Sequence, residues 1–264
     1  MDSILDRFRL DGAIAIVTGS GRGIGAATAV ALADAGADIV VTARTVSQIE
    51  ETAERVRARG RRALVVTCDV LMEEQRAELV EQTLREFGRL DVLVNNAGGS
   101  GPMPALQTSE SDFNETFRFN VTTAFRMSCL CAPQMVHTSG KGSIVNISSI
   151  AGKFAQAGFA SYGVAKAGLD FMTRNLAQDF APKVRVNGIA VGSTMTAALS
   201  GIMTDDLERA MLARTPLARL GQPEDVAACA LFLSSPAADY VTGEIYGVNG
   251  GLTGTPMEMP RAGL

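Results

Sequence analysis

Tyr162 and Lys166 stand one helical turn apart in Tyr162-Gly163-Val164-Ala165-Lys166, which places a phenol and an ammonium on one helix face. A free tyrosine titrates near pH ~10 and is a poor proton donor or acceptor at neutral pH. A neighbouring cation favours the phenolate and moves it toward the range where acid–base catalysis works. Ser149 closes the apolar run Ser143-Ile144-Val145-Asn146-Ile147 and can hydrogen-bond the same substrate oxygen. These three residue types together suit proton transfer to or from a carbonyl or alcohol oxygen.

A second constellation lies near the start. The apolar run 13–17 passes through Thr18-Gly19-Ser20-Gly21-Arg22-Gly23-Ile24-Gly25 into the alanine-rich stretch 26–33. A strand that turns through glycines into a helix makes an anion site. Free backbone N–H groups and the positive end of the helix dipole face a phosphate, and the missing Cβ atoms let the backbone approach it. The spacing reads Gly19-x-x-x-Gly23-x-Gly25, not G-x-G-x-x-G, because Ile24 occupies the last glycine's place.

Both constellations need a frame, and the hydrophobic pattern supplies one. Apolar, β-branched runs at 13–18, 37–42, 63–67, 91–94, 143–147, 183–187 and 244–248 alternate with helical patterns at about 46–59, 73–87, 111–136, 160–180 and 223–233. Strict βα alternation predicts an α/β fold: a parallel sheet with helices on both faces. Ligands of such sheets bind at the carboxyl ends of strands, where strand order reverses. Gly19, Arg44, Asp69, Asn95, Ser149 and Gly192 fall at those ends.

The 264 residues, with 47% hydrophobic and 20% charged, carry no linker or repeat, so a single domain over 1–264 is expected. A net charge of −4 excludes a broadly basic face for nucleic acid or anionic membrane. The first residues lack the apolar core of a signal peptide, and no apolar run reaches the roughly 18–20 residues of a membrane span. Cys68, Cys129, Cys131 and Cys229 form no Cys-x-x-Cys pair and His137 is the only histidine, so no metal site is expected. Idle thiols and the missing leader point to the cytoplasm.

Taken together, Thr18-Gly19-x-x-x-Gly23-x-Gly25, Asn95-Asn96-Ala97-Gly98, Asn120, Ser149 and Tyr162-x-x-x-Lys166 resemble the short-chain dehydrogenase/reductase family over essentially the whole chain. The resemblance implies a single-domain Rossmann fold, with a doubly wound, seven-stranded parallel sheet, that transfers a hydride between NAD(P) and a carbonyl or alcohol. It implies Tyr162 as the acid of reduction and the base of oxidation. Lys166 would lower the tyrosine's pKa and hold the nicotinamide ribose. Ser149 would orient the substrate oxygen, and Asn120 would anchor a water that passes protons through Lys166. Asn95 would stabilise the sheet. Gly19, Ser20, Gly21, Arg22, Gly23, Ile24, Arg44, Asn96, Ala97, Gly98, Gly192, Thr194 and Thr196 would contact the cofactor, with Asp69 and Val70 at the adenine. Relatives of this size imply a homotetramer, for which Phe171, Met172, Leu176 and Phe180 and the segment 245–252 offer apolar faces. One position departs from the family: Val191 stands where a proline usually precedes Gly192. Proline fixes φ and gives up an N–H, so valine predicts a looser turn.

Cofactor and substrate preference follow from the same resemblance. NAD-preferring relatives carry an acid after the second strand. Here Ala43 holds that place, followed by Arg44, with Arg22 in the glycine turn; the pair predicts NADP(H) over NAD(H). A lid at about 193–215 carries Met195, Leu199, Ile202, Met203, Leu207 and Met211, which suits an apolar ketone or secondary alcohol. Bacterial hydroxysteroid dehydrogenases are the nearest likeness, through Asn95-Asn96-Ala97-Gly98-Gly99 and Arg219-Leu220-Gly221-Gln222-Pro223-Glu224-Asp225. Reduction of 3-oxoacyl thioesters is the alternative, weakened by the absence of basic residues at 136–139. A non-catalytic NADP-binding regulator is the remaining one; such relatives usually lose the tyrosine or lysine, and both stand here.

Overall fold

The computed structural model describes residues 3–201 and 203–256. Seven strands form one sheet: β1 Ile14–Thr18, β2 Asp38–Ala43, β3 Ala63–Thr67, β4 Val92–Asn95, β5 Gly142–Ser149, β6 Val184–Val191 and β7 Ile245–Val248. All pairings are parallel and the order is β3-β2-β1-β4-β5-β6-β7. β1 and β2 are buried almost end to end, as a sheet covered on both faces requires. Ile14 and Ile16 point to one face, Ala15 and Val17 to the other.

The helices are α1 Gly23–Asp34, α2 Val46–Arg57, α3 Glu73–Phe87, α4 Glu110–Phe117, α5 Thr123–Ser139, α6 Ala160–Phe180, α7 Ala197–Ser200, α8 Asp205–Ala213 and α9 Pro223–Ser234. α1, α2 and α9 pack on one face through Leu32, Ile49 and Leu233. α3, α5 and α6 pack on the other through Leu79, Met135 and Leu176. Consecutive connections leave β1 in opposite directions, so a crevice opens between β1 and β4 at their carboxyl ends.

The structure differs from the sequence reading at four places. The helix expected over 111–136 is two helices joined by a π turn, Arg118–Thr122, which carries Asn120. Periodicity cannot see one extra residue per turn. β5 and β6 run further than their apolar cores, pairing from Gly142↔Val184 to Ser149↔Val191. Val191 is therefore the buried last residue of a strand paired with Ser149 and Val248, not part of a loosened turn. On α6, Leu176 is buried and Met172 and Phe180 pack on the core, leaving Phe171 as the exposed member of that set. The segment expected to form a lid contains α7 and α8, and Ile202 lies outside the described residues.

Candidate active site

The β1–α1 turn is fastened from three sides. Gly19 and Gly23 adopt φ of +64° and +55°, which a side chain would resist. The Asn96 Nδ2 donates to the carbonyls of Thr18 (2.9 Å) and Gly19 (3.0 Å). Thr18 Oγ1 accepts from the N–H groups of Asn96 and Ala97, both at 3.0 Å. A Cβ on Gly25 would collide with the Gly19 carbonyl and lie 2.5 Å from Asn96 Nδ2. Arg22, the residue that opens α1, makes no side-chain cap bond, so first-turn N–H groups keep their donor capacity beside the cleft. These donors, together with glycines that leave room for a phosphate, fit an anionic dinucleotide.

Two clefts and a cavity meet around this turn. A cleft of ≈ 320 Å³ runs over Gly19, Arg22, Arg44, Asp69, Val70 and Ala97. A second, ≈ 360 Å³, continues over Gly23, Ile24, Gly98, Ser149, Lys166 and Thr196. Beyond it opens an apolar cavity of ≈ 580 Å³ walled by Phe154, Phe159, Leu199 and Met211, with Gly192 and Thr194 on its rim. Ser149, Tyr162 and Thr196 belong to both the second cleft and the cavity. Gly21 and Asn96 also line the first cleft. Ser20, expected at the cofactor, is fully buried instead; its Oγ accepts from the Thr42 N–H at 2.8 Å and ties the turn to β2. Arg22 and Arg44 are exposed on the first cleft, and their side chains make no hydrogen bond or ion pair with a described residue.

At the meeting point, α6 sets Tyr162 and Lys166 on one face and β5 delivers Ser149. Tyr162 and Ser149 both line the junction of the second cleft and the cavity. Lys166 Nζ donates to the Ile147 carbonyl at 2.9 Å and stands 5.6 Å from the Tyr162 ring centroid. Burial pushes the Lys166 ammonium down to about 8, with Asp170 one turn on pulling it back up. Burial likewise pushes the Tyr162 phenol up, partly offset by the Ser149 hydroxyl. This differs from the expectation of a lowered tyrosine: desolvation sets the direction, and the contribution that opposes it comes from Ser149. Asn120, expected in a proton relay, is buried in the π turn. Its side chain accepts from the Gly99 N–H (2.8 Å) and donates to the carbonyls of Gly99 (3.1 Å) and Thr116 (2.9 Å), holding the 98–101 loop.

Sequence reasoning missed a buried polar chain under the site. Asn95 Nδ2 donates to Asn146 Oδ1 (2.9 Å) and Ser128 Oγ (3.2 Å), and Asn146 Nδ2 donates to Thr173 Oγ1 (2.9 Å). Asn146 between Val145 and Ile147 was the available signal: a polar residue inside a buried strand must find a partner. Phe154 and Phe159 were also missed, because their segment has no periodicity.

Comparison with known proteins agrees with this geometry. The family described as enoyl-(acyl carrier protein) reductase matches residues 19–253. An uncharacterized oxidoreductase of Mycobacterium tuberculosis (strain CDC 1551 / Oshkosh) is 48% identical, covering 97% of this chain and 98% of its own. The 7α-hydroxysteroid dehydrogenase of Escherichia coli (strain K12) is 40% identical, over 93% and 96%. A solved 7α-hydroxysteroid dehydrogenase complexed with NADH and 7-oxo glycochenodeoxycholic acid superposes with a TM-score of 0.92 at 39% identity, covering 97% of this chain and 99% of that one. Among the described residues no helix is long and apolar enough to cross a membrane, and no group of His, Cys, Asp and Glu could hold a metal.

Proposed function

This chain belongs to the short-chain dehydrogenase/reductase family, and from that membership we propose that it interconverts an apolar ketone and its secondary alcohol with NADP(H). The observation that carries the reading is the junction of cleft and cavity at Ser149, Tyr162 and Thr196. When bound, the dinucleotide supplies or accepts the hydride. Tyr162 donates its phenolic proton to the carbonyl oxygen in reduction and takes the hydroxyl proton in oxidation. Ser149 orients that oxygen by hydrogen bonding. The Lys166 ammonium orients the nicotinamide ribose and offsets the charge of the phenolate when it forms. Asn120 serves this reading by fixing the loop that faces the site.

The cavity's aromatic and aliphatic walls favour a bulky apolar skeleton, in line with the hydroxysteroid dehydrogenases among the relatives. Reduction of 3-oxoacyl thioesters stays as the second reading; the matching family's description also names a thioester reductase, though one acting on an enoyl rather than a 3-oxo group. A panel of steroids, 3-oxoacyl thioesters, diketones and quinones, assayed in both directions, separates the two; turnover confined to the thioesters overturns the first.

For the cofactor, Ala43 leaves no carboxylate to repel a 2′-phosphate, and the free guanidinium groups of Arg22 and Arg44 flank the cleft. Charge-assisted bonds of about 1.5–3 kcal/mol each supply a preference of roughly 10²-fold for NADP, allowing for exposure. Calorimetric titration with NADP and NAD tests this, and the combined Arg22→Ala and Arg44→Ala variant is expected to lose the preference while sparing NAD. Equal affinities in the wild type overturn the NADP reading alone. Family membership also supports a homotetramer, with Val164 and Phe171 exposed on α6; a monomer mass by light scattering overturns it.

A further inference from the structure

α3 is charged along its length, yet Arg76 lies on its inward face beside Leu79, Val80 and Thr83 and is only 6% exposed. No carboxylate forms an ion pair with it among the described residues, and its Nε is buried without a partner. Glu73, the nearest acid acting on it, is engaged by Arg126 at 3.1 Å, and Arg118 and Arg126 both repel it. Burying a cation this way costs stability. What its side chain does make is one hydrogen bond, from Nη1 to the Val70 carbonyl at 2.5 Å.

The next carbonyl along is held from the other side. Arg118, the first residue of the π turn, donates from Nη2 to the Leu71 carbonyl at 2.8 Å. The segment between is tied down at its remaining groups. Gln75 Oε1 accepts from the Asp69 N–H at 2.8 Å, and Asp69 Oδ1 accepts from the Leu71 N–H at 3.0 Å. Asp69 and Val70 form the wall of the first cleft, and Phe119, the residue after Arg118, lines the same cleft.

We propose that Arg76 and Arg118 are positioning residues for the cofactor: two arginines from different helical elements grip consecutive carbonyls and hold 69–71 in the shape that receives the adenosine half of the dinucleotide. The proposal rests on the reading that this cleft takes that half. Neither guanidinium needs to touch the ligand. The clamp shapes the Asp69–Val70 wall of the cleft and leaves untouched both Arg22 and Arg44, which would meet a 2′-phosphate in the same cleft, and the reacting groups. It therefore changes affinity for both cofactors alike and leaves the chemical step alone.

The test is calorimetric titration of wild type, Arg118→Met and Arg118→Lys with ADP-ribose and its 2′-phosphate, probes that carry the adenosine half and no nicotinamide. Arg118 is exposed, so the methionine variant keeps its stem packing and folds. The expected result is a roughly tenfold weaker Kd for both probes in Arg118→Met, largely restored in Arg118→Lys. In turnover, KM for the cofactor rises while kcat at saturation stays at the wild-type value. Arg76→Gln, checked for folding by circular dichroism, is expected to repeat the pattern. An unchanged Kd in Arg118→Met overturns the clamp, as does a lowered kcat with unchanged affinity. A wild type that binds neither probe overturns the dinucleotide reading itself, a result distinguishable from either of those.

Discussion

The two walls of the site are built by opposite means. On the dinucleotide side, backbone is fixed by contacts no substitution can share: a Cβ on Gly25 runs into the Gly19 carbonyl, and Asn96 and Thr18 use their polar atoms on the same turn. On the substrate side, the loop after β6 is joined to the chain ahead of α9 by one isolated bridge, Thr194↔Gly221, and the wall opposite is the loop 99–102, where Gly101 has open space around it. The rigid wall faces the part of the reaction that would be the same for every substrate. The loose wall faces the part that varies, as expected where loops on a rigid scaffold carry specificity.

The largest test strikes the point where the walls meet. Tyr162→Phe removes the proton donor but keeps the ring and its packing, so cofactor binding is expected to stay while turnover falls at least 10²–10⁴-fold, about the range of acid–base catalysis. Steady-state kinetics beside a titration of the cofactor read both; a variant keeping more than about a tenth of the wild-type rate removes Tyr162 from the chemistry.

The contrast in rigidity is next. Gly25→Ala is expected to weaken cofactor binding about tenfold to a hundredfold, because forcing the new methyl against the Gly19 carbonyl costs on the order of 1–3 kcal/mol. Gly101→Ala meets nothing within 4 Å and is expected to bind cofactor as the wild type does. Similar losses in the two variants would erase the distinction between the walls.

The same contrast explains what the sequence could show. The dinucleotide wall was legible because its requirements are local. Gly19, Gly23 and Gly25 are there for conformation and close approach, and α6 was bounded at Ala160 and Phe180 because it is long and periodic. The seven strands were legible because buried parallel strands read as apolar runs. The substrate wall was legible only in part: Leu199 and Met211 were expected in the lid and do line the cavity, whereas Phe154 and Phe159 join it only after the chain has folded. The π turn escaped for a different reason: its residues keep helical composition, and only the geometry around Asn120 shows the extra residue. The direction of the Tyr162 shift was also out of reach, because desolvation depends on atoms from several elements at once.

Lys166 gives a test of moderate size. Its folded pKa of about 8 lies below the ordinary lysine value of 10.5, so the folded state binds fewer protons between those values. Stability attributable to this group therefore rises with pH from about 8 to about 10.5, and below that window the full cost of burying the ammonium is present. Lys166→Met is expected to abolish turnover yet gain on the order of 1–3 kcal/mol of stability at pH 7, with the gain shrinking as pH climbs through the window. Denaturant melts of both proteins across this range measure it; a variant less stable than wild type at pH 7 would show that the bond to the Ile147 carbonyl outweighs the burial cost.

The smallest effect concerns how the loose wall is held. Arg219 reaches both Asp225 oxygens, at 2.6 and 2.8 Å, and Asp225 also accepts from the Gln222 N–H at 2.7 Å where α9 begins. These bonds hold the Asp225 carboxyl down at about 2, below its ordinary 3.8. The stability it contributes is present above about 3.8 and is lost as pH falls toward 2. Between them lies Gly221, whose carbonyl accepts from the Met195 N–H at 2.8 Å and whose N–H donates to the Ser193 carbonyl at 2.9 Å. Because the Arg219 side chain is largely exposed, solvent screens the pair, and Asp225→Asn is expected to move the melting midpoint by no more than about 2 °C. Its effect should instead be local. Hydrogen exchange at neutral pH is expected to speed up at the Met195 and Gly221 amides while the Asn96 and Ala97 amides, bonded to Thr18, keep the wild-type rate. Equal acceleration on both sides would mean that the walls open as one unit and that the difference in their construction does not reach their dynamics.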